Sequence, residues 1–180
     1  VLVATGRKAS TASLNLEAAG VAVNERGEII VNELLQTTVP HIWALGDVKG
    51  GLQFTYISLD DFRIIKEQLF GQNDRTTANR PPVAYSVFLD PTFARVGLSE
   101  AEALLSGHKI KVAKIAEAAS PRARLFGVLL LHLKAIVDAE SNKILGAAFF
   151  CSEASEIINI VQLAMKAKLD YTVLRDNIYT

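Results

Sequence analysis

The stretch "IWALGDVKGG", residues 42–51, ends an apolar run on Gly46 and Asp47 and follows them with Gly50 and Gly51. Asp and Gly are turn residues, so a tight turn is one reading. The other is chemical. A carboxylate at the end of a strand accepts hydrogen bonds from a polyol or sugar, and the glycines let a ligand approach the backbone. "LQFTYISLDD" then leads into a helical segment. The N-terminus of a helix presents unpaired N–H groups and a positive dipole end. A ring that gains negative charge on reduction would be stabilised there. Thr55 is read either as a donor to such a ring or as an N-cap alone. Asp60 and Asp61, after Ser58, read most simply as charges favouring the helix's positive end.

Other reactive side chains carry less. Cys151 is the single cysteine, which excludes an internal disulfide framework and fits a reducing cytoplasm. It follows "GAAFF" at a strand end and reads as a buried, inert thiol. His41, His108 and His132 share no metal-ligand spacing. His132 alternates with leucines and reads as a satisfied histidine on a β face. Pro121-Arg122-Ala123-Arg124 offers an anion patch or, more simply, a solvated turn.

These residues need elements to position them. The apolar run Val1–Ala4 reads as a strand entering a turn at Thr5-Gly6-Arg7. Val21–Val23 and Ile29–Val31 flank "NERG" as a hairpin, and "HIWALGD" reads as another buried strand. From Ser58 to Phe70, Leu59, Phe62, Ile65 and Leu69 fall on one helical face, with Gly71 as C-cap. "GQNDRTTANRPP" (71–82) is polar, ends in Pro-Pro and is the best boundary or linker in the chain. Five β candidates follow: "VAYSVF", "ARVGL", "KIKVAKIA", "GVLLLHLKAIVD" and "KILGAAFF". "SEAEALLSG" opens with a capping box, Ser99 with Glu102. "EASEIINIVQLAMKAKL" puts Ala154, Ile157, Ile158, Val161, Ala164 and Met165 on one stripe. "TVLRDNI" predicts a last helix with Thr172 as N-cap, and "DAESNK" a hairpin loop. Strands paired by hairpins with helices on one face predict an α+β domain.

Composition excludes several partners. Half the residues are hydrophobic, which excludes a disordered tail. The 19 basic and 19 acidic residues balance without a basic block, so neither nucleic acid nor a membrane surface is expected as partner. No apolar run reaches the ~18 residues of a membrane span. The opening "VLVATGR" lacks an initiator Met and starts inside a predicted strand, and "RDNIYT" follows a helical segment directly. Both ends predict a piece of a longer protein.

"VATGRKA", "LNLEAAGVAVNERGEIIVNELLQTTVPHIWALGD" and "PPVAYSVFLDPTFARVGLSEAEA" resemble, in order and spacing, consecutive parts of the class I pyridine nucleotide-disulfide oxidoreductases, the family of glutathione reductase, dihydrolipoamide dehydrogenase and mercuric reductase. The resemblance covers essentially the whole chain. It implies an FAD-dependent, NAD(P)H-using oxidoreductase that passes electrons through a cysteine pair to a disulfide or another soft acceptor, working as a cytoplasmic homodimer. It implies that residues 1–75 are the C-terminal part of an α/β FAD-binding domain and residues 81–180 a dimerisation domain. Gly46 and Asp47 would then bind the FAD ribityl and pyrophosphate region. Phe54, Thr55 and Tyr56 would lie at the pyrimidine edge of the flavin, and Gly6 and Arg7 at the crossover between the nucleotide sites. The resemblance also favours use of the Ile157, Ile158, Val161 and Met165 stripe at a dimer interface. Departures matter equally. The glycine-rich fingerprints, the cysteine pair separated by four residues and the His-Pro motif are not in these 180 residues. No residue here is therefore assigned a catalytic role. Two alternatives remain: a non-catalytic homodimerisation module, and part of an FAD-dependent NADH oxidase or peroxidase. "RARLFGVLLLHLKAIVD" is more apolar than the polar turn common in the family, predicting a shifted hairpin or an exposed apolar edge.

Overall fold

The computed structural model describes residues 1–71, 74–116, 125 and 132–179. Pro121–Arg124 and most of the apolar run before His132 lie outside the described residues. The chain divides into two compact units, Val1–Arg80 and Pro81–Thr180.

The second unit is the α+β domain that alternation in the sequence predicts. Its strands are β1 (Tyr85–Val87), β2 (Phe93–Gly97), β3 (Ile110–Ala116), β4 (His132–Asp138) and β5 (Ile144–Phe150), in the order β1-β2-β5-β4-β3. All neighbours are antiparallel. The register sets Ala94 opposite Phe149 and Val96 opposite Ala147, so these four share one face. That face is covered by a helix, Ala154–Lys166, through Ala154, Ile158, Val161 and Ala164. Ile158 is fully buried, which stabilises the fold by about 1.5–3 kcal/mol. Ile157, placed on the same stripe by periodicity, is instead 40% exposed, as are Ile160 and Leu163 to a greater degree.

Two shorter helices complete this unit. Glu100–Leu105 carries the predicted capping box: Ser99 Oγ accepts the Glu102 N–H at 3.2 Å, and Glu102 accepts the Ser99 N–H at 2.6 Å. Tyr171–Asp176 starts one residue before the predicted cap. Its N-cap is Asp170, whose carboxylate accepts both the N–H and the hydroxyl of Thr172. A carboxylate is the stronger acceptor, so Thr172 becomes donor rather than cap. The β4–β5 loop is the predicted hairpin turn, organised by Asp138, which accepts the N–H groups of Glu140 and Ser141. His132 is exposed at the first position of β4.

The first unit is mostly turns. Val21, Ile29 and Ala44 form its small core, with Leu16, Val31, Val39, Ile42 and Val48 packed around them. The predicted hairpin survives as one antiparallel bridge, Val23 to Ile29, and the predicted strand at 41–47 as one bridge, Gln36 to Trp43. Asn24 and Asn32 explain why turns prevail. Each side-chain oxygen accepts the backbone N–H two and four residues ahead, closing the chain on itself. Val1–Ala4 is not a strand but exposed chain without secondary structure. A strand exists through hydrogen bonds to a neighbour, and among the described residues none pairs with it.

The long helix of this unit, Thr55–Phe70, begins three residues earlier than predicted. Gly71 closes it, donating its N–H to Glu67 O, in an extended rather than left-handed conformation. Its buried positions are Ile57, Asp61 and Ile64, whereas Leu59, Phe62 and Leu69 are exposed. The predicted apolar face is therefore not the face this chain buries.

Candidate functional site

Gly46–Lys49 forms a single 3-10 turn between extended Leu45 and Gly50. Gly46 has φ +70°, and a Cβ there would sit 2.7 Å from Ser58 Oγ on the long helix. Glycine is needed for both reasons: a left-handed backbone and a close approach to the helix. The turn is tied inward at successive points. Gly46 donates its N–H to Asp61 Oδ2 at 2.9 Å, and Lys49 Nζ lies 3.3 Å from the same oxygen. Ile29 donates its N–H to Val48 O at 3.0 Å. Asp47 faces outward instead, with its side chain 58% exposed and Arg7 Nη1 4.0 Å away. The turn thus brings together two of the sequence-predicted groups, Gly6-Arg7 and Gly46-Asp47. An exposed pair at this distance adds little stability, so its carboxylate is available to a ligand.

The helix start lies a few residues on. Phe54 is its N-cap, extended and without a side-chain cap, and Thr55 is the first helical residue. Thr55 is therefore not the N-cap; its hydroxyl lies on the first turn, and the extended backbone at Phe54 makes the entry. The Phe54 and Tyr56 rings stack, with centroids 5.1 Å apart and planes at 8°. Partial burial pushes the Tyr56 phenol up from its ordinary value, so it stays protonated. No acidic residue lies in the first turn. The positive end of a 16-residue helix is left uncompensated by carboxylates of its own, an arrangement that favours an anionic group.

Asp60 and Asp61 do something other than balance the helix dipole. They lie in its second turn and bind cations distant in sequence. Asp61 is 0% exposed, and its Oδ1 accepts from Arg80 Nη2 at 2.5 Å. Asp60 accepts from Arg80 Nε at 2.6 Å and from Arg75. Desolvation raises the Asp60 carboxyl, but the hydrogen bonds and charges of Arg75 and Arg80 outweigh it and hold the group below its usual range. Residues 74–80 are accordingly pinned through Arg75 and Arg80. Sequence reasoning missed this network. The one signal available was two carboxylates followed by two arginines within a short polar segment.

In the second unit Cys151 is 3% exposed within the apolar core, and burial pushes its thiol up, away from the reactive thiolate. His108 pairs with Asp138 at 2.9 Å, bracing the entry to β3 against the end of β4.

The units and the turn define a recognisable class. Residues 83–180 match the family model of the pyridine nucleotide-disulphide oxidoreductase dimerisation domain, and residues 1–61 that of pyridine nucleotide-disulphide oxidoreductase. The chain belongs to the pyridine nucleotide-disulphide oxidoreductase family. It is 51% identical over 180 residues to the probable pyridine nucleotide-disulfide oxidoreductase RclA of Escherichia coli (strain K12), covering 100% of this chain and 41% of that protein. It is 36% identical over 179 residues to a mercuric reductase of Staphylococcus aureus, covering 98% of this chain and 32% of the relative. Among solved structures, the HOCl-induced flavoprotein disulfide reductase RclA from Escherichia coli superposes with a TM-score of 0.94 at 51% identity, over 99% of this chain and 41% of that one. The chain therefore spans well under half the length of these relatives. Among the described residues, no helix is long and apolar enough to cross a membrane.

Proposed function

We propose that this chain serves an FAD-dependent, NAD(P)H-using oxidoreductase that reduces a disulfide or another soft acceptor and works as a homodimer. In this reading residues 1–75 belong to the FAD-binding domain and residues 81–180 form the dimerisation domain. The observation that carries it is the Gly46–Lys49 turn, which fixes its ends inward and presents Asp47 outward beside Arg7, just ahead of a helix whose first turn carries no acidic residue. That donor and acceptor set fits a flavin dinucleotide, which has hydroxyls, a pyrophosphate and an electron-poor ring with polar edges.

When bound, FAD supplies two-electron transfer between the nicotinamide and the acceptor. Asp47 would accept hydrogen bonds from hydroxyls, and Gly46, which lets the turn approach the long helix, would set the turn that presents it. Gly6 and Arg7 border the same place, Arg7 adding a positive charge suited to phosphate. The backbone at Phe54, Thr55 and Tyr56 lends the positive helix end to the polar edge of the ring. The exposed stripe Ile157, Ile160 and Leu163 supports burial against a second copy. The thiol chemistry is not carried by Cys151, which is the only cysteine of the sequence and is buried.

The test is FAD titration of the full-length protein and its Asp47→Asn variant. Loss of a charge-assisted hydrogen bond predicts affinity about tenfold weaker or more. Equal affinities within about twofold would remove Asp47 from the site. A second reading, a dimerisation module without cofactor, rests on the same exposed stripe. It predicts a colourless dimer that takes up no flavin.

A further inference from the structure

We infer that Asp61 is a positioning residue that sets the conformation of the Gly46–Lys49 turn, and through it the direction in which Asp47 is presented to the cofactor; this rests on the cofactor reading above. A carboxylate at a fully buried helical position is costly unless paired, and an aliphatic side chain would serve helix packing better. Here every bond of the carboxylate has a direction. Oδ2 holds both ends of the turn, the Gly46 N–H at 2.9 Å and Lys49 Nζ at 3.3 Å. Oδ1 holds the Arg80 guanidinium at 2.5 Å, which also grips Asp60 and keeps the carboxylate from rotating. Lys49 and Arg80 are themselves 10% and 12% exposed, so the cluster is shielded from solvent and its bonds are strong. With Gly46, Val48 and Lys49 anchored, the Asp47 side chain is the part of the turn that faces away from the clamp. Removing the carboxylate charge leaves two buried cations facing a neutral group. The turn ends separate, and Asp47 loses its fixed direction without any change to a residue that touches the cofactor.

Asp60 supplies the matched control. It is the neighbouring carboxylate, shares Arg80, and its bonds among the described residues go to Arg75 and Arg80 rather than to the turn. The experiment measures FAD dissociation constants and the visible circular dichroism of bound flavin in the full-length protein for Asp61→Asn, Lys49→Met, Asp60→Asn and Asp47→Asn. A positioning role predicts FAD binding about tenfold weaker in Asp61→Asn and about threefold weaker in Lys49→Met, with an altered flavin dichroic band in both. It predicts a smaller loss in Asp60→Asn than in Lys49→Met, because Asp60→Asn leaves both contacts between Asp61 and the turn in place. A merely structural role predicts lowered unfolding midpoints in Asp61→Asn and Asp60→Asn alike, with unchanged FAD affinity and dichroism, and that result overturns the inference. Should Asp61→Asn not fold, Lys49→Met decides, since it removes one of the two contacts between turn and carboxylate and leaves the Asp61 carboxylate itself in place. If Asp47→Asn weakens binding while Asp61→Asn and Lys49→Met do not, the cofactor site stands and the positioning role falls. If Asp47→Asn itself binds normally, the cofactor reading fails and the inference with it.

Discussion

Replacing Gly46 by Ala tests whether the turn needs glycine for its backbone or for its neighbour. At φ +70° an L-residue costs about 1–2 kcal/mol. The added Cβ also meets Ser58 Oγ at 2.7 Å and Ser58 Cβ at 3.4 Å. Forcing these apart costs about 1–3 kcal/mol by the usual scale of overpacking. Together the substitution should destabilise by about 2–5 kcal/mol. Ser58→Ala removes the closer atom and leaves a contact of ordinary length. The double variant should therefore recover the steric part and retain about 1–2 kcal/mol of backbone strain. The assay is denaturant unfolding of wild type, both single variants and the double variant, read by the fluorescence of Trp43, the single tryptophan of the sequence, which lies in the segment entering the turn. If the two changes add within about 0.5 kcal/mol, close approach to the helix is not what position 46 requires, and the packing argument is refuted.

Ile158→Ala should destabilise the second unit by about 2–5 kcal/mol, while Val173→Ala, at an exposed position of the last helix, should change it by less than about 1 kcal/mol; urea unfolding distinguishes them. The Ser99 N–H, the Ser99 hydroxyl and Arg95 hold the Glu102 carboxyl down at about 2, against 4.5 for the free group. A carboxyl lowered on folding contributes stability above its unfolded value and loses it as pH falls through the folded one. Stability should thus decline from about pH 4.5 towards 2, and less steeply in Glu102→Gln, as followed by thermal unfolding against pH. Cys151 should react with a thiol reagent only as fast as the native fold opens, and at full rate in denaturant.

Much of the second unit was legible because its determinants are local. Alternating side chains in "ARVGL" and "KILGAAFF" give strands whose faces follow from a period of two. The Ser99–Glu102 box is written in four consecutive residues, and the asparagine and aspartate turns close over equally short spans. Ile157 shows the limit. Periodicity defines a stripe, but the width of the stripe that is buried depends on the sheet beneath it: Ile158 and Val161 join Ala94 and Ala147 in the core, while Ile157 stays at the rim.

The first unit resisted the same reading. "HIWALGD" has the composition of a strand, yet a strand is a property of a pair, and its pairing reduces to one bridge between Gln36 and Trp43. The long helix was found, but its buried face was not. Leu59, Phe62 and Leu69 are the apolar choice, whereas the helix turns Ser58 and Asp61 towards the Gly46 turn, because a short side chain and a bonded carboxylate are what a closely approaching backbone accepts.

The sequence alone determined the antiparallel α+β pattern, the caps, the polar break before Pro81 and the presence of a Gly-Asp turn ahead of a helix, since each depends on residues within a few positions of one another. Only the tertiary structure decided which carboxylate is buried and which is presented. Asp61 meets Gly46 across 15 positions and Arg80 across 19. No local propensity encodes such a meeting, and it is the meeting with Lys49 and Arg80 that makes a buried carboxylate tolerable and leaves Asp47 facing outward.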